Sequence, residues 1–250
     1  MEKVFQNIPL YFEPNVGQAD EKSSFLTRGN GYEMSFFADK AVLSLAKKKS
    51  SGEKEINSDP DLSFSTLTMS LADSNKNPQI SGEEETAGKV NYLVGNDRDK
   101  WLTDIPTYQK VRYKNVYSGI DLLYYGKQTE LEFDFIVSPG ADPEQIKLDF
   151  SGAEKIAKNS DGELVISVGE GEVVLQKPVL YQTDNQGQRQ NVEGEFALVN
   201  ENSAKFKIGE YDRARQLVID PILSYSTYLP GARAGYDIAV DNDENAIVTG

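Results

Sequence analysis

The segment from Trp101 to Val137, WLTDIPTYQKVRYKNVYSGIDLLYYGKQTELEFDFIV, constrains the fold more than any other part of the chain. It holds the single Trp and a dense run of Tyr and β-branched residues. It reads as three successive strands. Val111 and Tyr113 close the first, and Ile120-Asp121-Leu122-Leu123-Tyr124-Tyr125 is apolar on both parities, as in a strand covered on both faces. Glu130-Leu131-Glu132-Phe133-Asp134-Phe135 alternates strictly, which puts Leu131, Phe133, Phe135 and Val137 on one face and three carboxylates on the other. Ser118-Gly119 and Gly126-Lys127 supply the turns, so an antiparallel meander is expected.

With 250 residues, 38% of them hydrophobic, the chain can bury a sizeable core as one large all-β unit or two smaller ones. A formal net charge of −14 argues against a nucleic-acid partner, whose phosphates are held by clustered Lys and Arg. The chain has no Cys and no His. Disulfides, thiolate nucleophiles, Cys/His zinc sites and histidine general bases are thereby excluded. Any chemistry must rest on Asp, Glu, Lys, Tyr, Ser or an oxygen-ligated metal. The N-terminal MEKVFQNIPLYFEPNVGQ lacks a basic region followed by an apolar one, so no export signal is expected in it. No run reaches the length of a membrane span.

Upstream of the meander, strands are expected at Ser24 to Arg28, Tyr32 to Phe37 and Ala41 to Ala46, with Gly29-Asn30-Gly31 as a turn. Lys47 to Asp61 and Asp73 to Gly88 read as loops. The lysines of the first and the Glu83-Glu84-Glu85 run of the second read as solvated charge. The apolar parity changes near Ser65-Thr66, which predicts a bulge or a break. Beyond Pro139, Asp142-Pro143-Glu144-Gln145 has the form of one capped helical turn. Short strands follow at Glu163 to Val168, Val173 to Gln176, Val179 to Thr183, Val192 to Val199, Ala204 to Ile208 and Gln216 to Ile219. This spacing is that of a β-sandwich. A boundary is expected near Ser138-Pro139-Gly140, giving an N-terminal β-rich domain (1–138) and a β-sandwich-like domain (139–222). In the tail, Ile238-Ala239-Val240 and Ala246-Ile247-Val248 read as a hairpin, which needs another surface to bury its face.

Tyr225 to Leu229, Ile238 to Asp241, Asn245-Ala246 and Val248 to Gly250 follow a Tyr-Ser-Thr-Tyr-Leu … Ile-Ala-Val-Asp … Asn-Ala … Val-Thr-Gly pattern. It resembles an incomplete first copy of the bacterial SBBP β-propeller repeat, here 223–250. Pro230-Gly231-Ala232-Arg233 departs from the Gly-rich segment usual after the Leu. The upstream part resembles the uncharacterised domain that precedes such repeats. That likeness lies in Phe12-Glu13-Pro14-Asn15-Val16-Gly17-Gln18, Arg28 to Tyr32, Asn91-Tyr92, Gly95-Asn96-Asp97, Trp101 to Tyr125, Glu132 to Phe135, Pro139 to Pro143 and Ile219-Asp220-Pro221. The resemblance implies an extracytoplasmic, secreted or cell-surface protein of mostly β structure, and it carries no catalytic residue. The whole fold is thus expected to be all-β, two sandwich-like regions followed by an incomplete propeller-type repeat.

Three groups are candidate sites. Glu130, Glu132 and Asp134 loosely resemble the acidic strand of jelly-roll β-glucanases, where one carboxyl protonates the leaving oxygen and a second attacks the sugar. The order of acids differs from that motif, and a polar strand face in water accounts for the same letters. Asp241, Asp243 and Asn245 offer oxygen ligands to calcium, the one cofactor the residues leave open, although hairpin tips favour the same residues for turn geometry. Trp101, Tyr108, Tyr113, Tyr117, Tyr124 and Tyr125 could form a stacking platform for a ligand, or pack in the core. The expected function is a non-enzymatic structural or binding module of an exported bacterial surface protein. Its partners would be a downstream repeat array of the same chain and a surface glycan or protein. The alternative is a carbohydrate-active or carbohydrate-binding β-sandwich.

Overall fold

A computed structural model describes residues 10–29, 32–48, 62–127, 130–169, 171–226, 237–240 and 246–249. Among them are twenty-one strands, two 3-10 turns and no α-helix. In chain order the strands begin with β1 (Glu13–Pro14), β2 (Phe25–Gly29), β3 (Tyr32–Phe36), β4 (Lys40–Lys48), β5 (Leu62–Leu71), β6 (Gln79–Leu93) and β7 (Leu102–Tyr117). They continue with β8 (Ile120–Lys127), β9 (Glu130–Val137), β10 (Lys147–Ser151), β11 (Lys155–Lys158), β12 (Leu164–Val168), β13 (Gly171–Leu175) and β14 (Val179–Thr183). The last are β15 (Arg189–Val192), β16 (Gly194–Asn200), β17 (Ser203–Ile208), β18 (Leu217–Asp220), β19 (Ile222–Ser226), β20 (Asp237–Val240) and β21 (Ala246–Thr249).

They form two sheets. The smaller has eight strands in the order β1-β2-β3-β4-β5-β10-β17-β16. The larger has thirteen, running β11-β12-β13-β19-β9-β8-β7-β6-β21-β20 with β18, β14 and β15 on a side branch. The branch starts at Asp220-Pro221. β18 pairs with the end of β9 (Ile219 opposite Phe135) and β19 with its start (Ile222 opposite Glu132), in one continuous register. Pro221 has no N–H to give, so the ladder breaks there. On their other edges β18 meets β14 and β19 meets β13, and the sheet forks.

Both sheets mix strands from either side of residue 138. β10 pairs with β5, and β18 with β9. The expected boundary near Ser138-Pro139-Gly140 therefore does not separate two cores. One hydrophobic cluster runs from Leu10 to Leu223. Within it, successive aromatic rings lie 4.8 to 6.0 Å apart from Phe12 through Phe36, Tyr124, Phe133, Phe135 and Phe206 to Phe196. The series passes from the smaller sheet to the larger and back.

Other expectations are met or corrected locally. The meander is β7-β8-β9, with Leu131, Phe133, Phe135 and Val137 all buried. Asp142 caps the 3-10 turn Pro143–Gln145, accepting from Glu144 N at 3.1 Å. The parity change near Ser65-Thr66 produces no break, because β5 pairs with β4 in one register and Phe64 is left 63% exposed. The expected loop at 73–88 instead contains the larger part of the long strand β6, which spans 15 residues. Glu83 and Glu84 ion-pair there with Arg112 and Lys110 of β7, so their charges support a strand rather than a loop. The distal parts of β6 and β7 build a separate small cluster from Val90, Tyr92 and Ile105.

Gly152 marks a close approach between the halves. Its φ is +86°, and a Cβ there would lie 2.1 Å from the Thr66 carbonyl oxygen. Gly152→Ala is expected to cost roughly 2 kcal/mol, a fall in Tm of about 4 to 8 °C in a thermal melt. An unchanged melt would contradict this packing.

Candidate functional site: a carboxylate cluster at the sheet fork

The alternation of β9 turns its odd positions into the core and leaves Glu132 and Asp134 on the outer face of the larger sheet. The register places Asp220 across from Asp134, because Ile219 faces Phe135 and Ile222 faces Glu132. β8 sets Tyr125 opposite Glu132, and the Tyr125 hydroxyl donates to Asp134 Oδ1 at 3.1 Å. On the branch, Tyr181 stands opposite Val218, and the Arg189 guanidinium lies 4.1 Å from the centroid of its ring. Three carboxylates, two phenols and one guanidinium thus gather where the sheet divides.

This face is not a solvated strand surface. Glu132 is only 3% exposed, and the neighbouring Leu123 is 9% exposed. Burial pushes the Asp134 carboxyl up to about 7; Asp220 and Glu132 push the same way, while the Tyr125 bond and Arg189 pull against them. Burial and then Asp134 hold the Tyr125 phenol far above its usual range. The group can therefore hold or release a proton near neutral pH, a property the absent histidines would otherwise supply. No set of three or more acidic residues among those described is arranged to hold a metal ion.

Of the acidic triad expected from sequence, Glu132 and Asp134 belong to this cluster; the Glu130 side chain lies outside the described residues. Asp241, Asp243 and Asn245 also lie outside them. The aromatic candidates do not form one surface. Tyr113, Tyr117 and Tyr124 are buried in the main core, and Tyr108 packs edge-on against Phe25 at 6.1 Å. Trp101 sits at the far end of the β6-β7 ribbon, below Arg98 and donating from Nε1 to the Gly95 carbonyl at 3.1 Å. Only Tyr125 reaches the carboxylates. Asp220, Tyr181 and Arg189 escaped sequence reading because nothing local reveals that β18 returns to β9 and that β14 and β15 follow on its other edge. Tyr113 has a buried hydroxyl without a hydrogen-bond partner among the described residues, which marks it as packing rather than recognition.

A second polar cluster also went unread. Glu13, 2% exposed, accepts on Oε1 from both Arg28 Nη1 and the Tyr92 hydroxyl. Its signal was a lone acid between Phe12 and Pro14.

The family model described as a domain of unknown function, DUF7948, matches residues 12–222. The chain belongs to this DUF7948 family. The matched span starts at the buried Phe12 and ends at the first residue of β19, so it covers the fork and the Glu13 cluster. No curated protein and no solved structure matches the chain.

Because the folded pKa of Asp134 is above its unfolded value, this DUF7948 member should lose stability as pH rises from about 4 to about 7 and level off above. Asp134→Asn should reduce that slope, leaving the part that comes from Glu13, whose pKa is also raised. At pH 8 the variant should be more stable by on the order of 1 to 2 kcal/mol, allowing for partial solvent access at the site. Urea midpoints across pH 4 to 8 measure this, and an unchanged slope in the variant would contradict the assignment.

Proposed function

We propose that the chain is a non-enzymatic structural or binding module of an exported bacterial surface protein, standing ahead of a β-propeller repeat array. The observation that carries this reading is the seating of the tail hairpin. β21 adds in parallel to β6, with Ala246 to Thr249 opposite Val90 to Leu93, and β20 closes the hairpin on its outer side. These two strands bear the Ile-Ala-Val and Ala-Ile-Val-Thr parts of the repeat-like pattern. A hairpin that cannot bury its own face finds a template in the long β6-β7 ribbon. The module would then cover the first edge of the array and give its first repeat a strand to build on. The sequence resemblance supports the extracytoplasmic setting. Among the described residues no helix is long and apolar enough to cross a membrane.

One observation favours a second reading, a carbohydrate-binding or carbohydrate-active sandwich. Asp134 stands protonatable near pH 7 beside a second carboxylate, and a raised acid next to an ionised one is what glycoside hydrolysis uses. An enzyme of this kind should lose at least about a hundredfold in sugar release on Asp134→Asn with its fold intact.

Ending the chain after Ser226 should lower Tm by several degrees and raise amide exchange at Val90 to Leu93 about tenfold or more, because β6 loses its parallel partner. If both are unchanged, the hairpin is no part of the module and the reading loses its support.

A further inference from the structure

Residues 10–14 form a strap whose side chains alternate between two destinations. Leu10 and Phe12 enter the main core, Phe12 with no exposed surface. Tyr11 packs on the small cluster of Val90, Tyr92 and Ile105 in the distal part of the ribbon. The backbone ties the strap to both sheets. Phe12 exchanges two 2.8 Å hydrogen bonds with Tyr108 of β7, and Glu13 pairs opposite Leu26 of β2. Thr27 Oγ1 donates to the Tyr11 carbonyl at 2.6 Å.

The polar contacts converge on Glu13. Its Oε1 accepts from Arg28 of the smaller sheet and from Tyr92 of the larger, while Arg28 also donates to Glu33 at 2.9 Å and lies 5.3 Å from the Tyr92 ring centroid. Arg28 and Glu33 face it from β2 and β3, Tyr92 from β6, and Tyr11 from the strap. Its Oε2 is buried with no hydrogen-bond partner among the described residues. A carboxylate so placed carries a desolvation cost, seen as a raised Glu13 pKa that Arg28 only partly offsets. Packing alone would be served better by an apolar residue.

Tyr92 is also one of the four residues, Val90 to Leu93, that β21 pairs with, and stands opposite Val248. The hydroxyl held by Glu13 therefore belongs to a residue whose backbone helps to receive the hairpin. We propose that Glu13 is a positioning residue that couples the strap to the docking strand, so that the seating of the tail hairpin on β6 depends on the Glu13–Arg28–Tyr92 network. This rests on the reading that the hairpin docks on β6 in the working protein. The coupling element is the last part of β6, Val90 to Leu93, braced by the strap on one side and paired with β21 on its edge.

Amide exchange on the full chain tests it, read at 246–249 with β12 as an internal control. In the parent, 246–249 should be protected. Glu13→Ala should lower that protection about tenfold or more and leave β12 unchanged. Glu13→Gln should stay within about threefold of the parent, since its Oε1 can still accept from Arg28 and Tyr92. Tyr92→Phe, which deletes one hydroxyl and keeps the ring, should loosen 246–249 in the same direction and remains informative should Glu13→Ala fail to fold. Parental protection at 246–249 that survives both Glu13→Ala and Tyr92→Phe would overturn the coupling while leaving the docking intact. Equal losses at β12, or Gln behaving as Ala, would overturn it in favour of general destabilisation. An unprotected 246–249 in the parent would instead overturn the docking itself.

Discussion

The run of aromatic rings from Phe12 to Phe196 is the contact on which the rest of this structure depends. Each neighbouring pair adds about 0.5 to 1.5 kcal/mol beyond the area it buries. Its larger effect is topological. Phe36 and Phe206 come from the smaller sheet, while Tyr124, Phe133 and Phe135 come from the larger, and the rings interlock across the space between them. Residues before and after 138 contribute to the same series. The two halves that composition and turn spacing separate are therefore one body.

That single core sets up both polar clusters. Filling the odd positions of β9 with Leu131, Phe133 and Phe135 forces Glu132 and Asp134 to the opposite face. The return of the chain along β9 then brings Asp220 to the place where Pro221 breaks the ladder. Like charges directly opposite each other on neighbouring strands are unfavourable. The protein accommodates them with the Tyr125 hydroxyl, Arg189 and a proton held on Asp134 near neutral pH. At the other end Phe12 fixes the strap, and the alternation that buries Phe12 carries Glu13 to Arg28 and Tyr92.

How far these features were legible follows from the range of the contacts. Period-two alternation showed β9, the meander and most C-terminal strands, because strand patterning is written within a few residues. The long strand β6 was unreadable as such, since Glu83 and Glu84 look like loop residues until Arg112 and Lys110 stand across from them. The domain boundary misled for a related reason: Pro139-Gly140 is a true turn, but a turn does not say whether the next strand joins an old sheet or starts a new one. Two of the three carboxylates of the cluster were visible in Glu132 and Asp134. The third, Asp220, required a register between residues 134 and 220, and a single sequence carries no signal for that.

The claim that the chain folds as one sandwich across residue 138 is tested most directly by amide exchange under rising urea. Two segments suffice: Leu131 to Val137, before the expected boundary, and Leu164 to Leu175, after it. If one core holds both, their slowest amides should lose protection together, with the same opening free energy and the same urea dependence. If either segment opens cooperatively while the other stays protected, the halves are separate units and the shared aromatic core does not govern the fold.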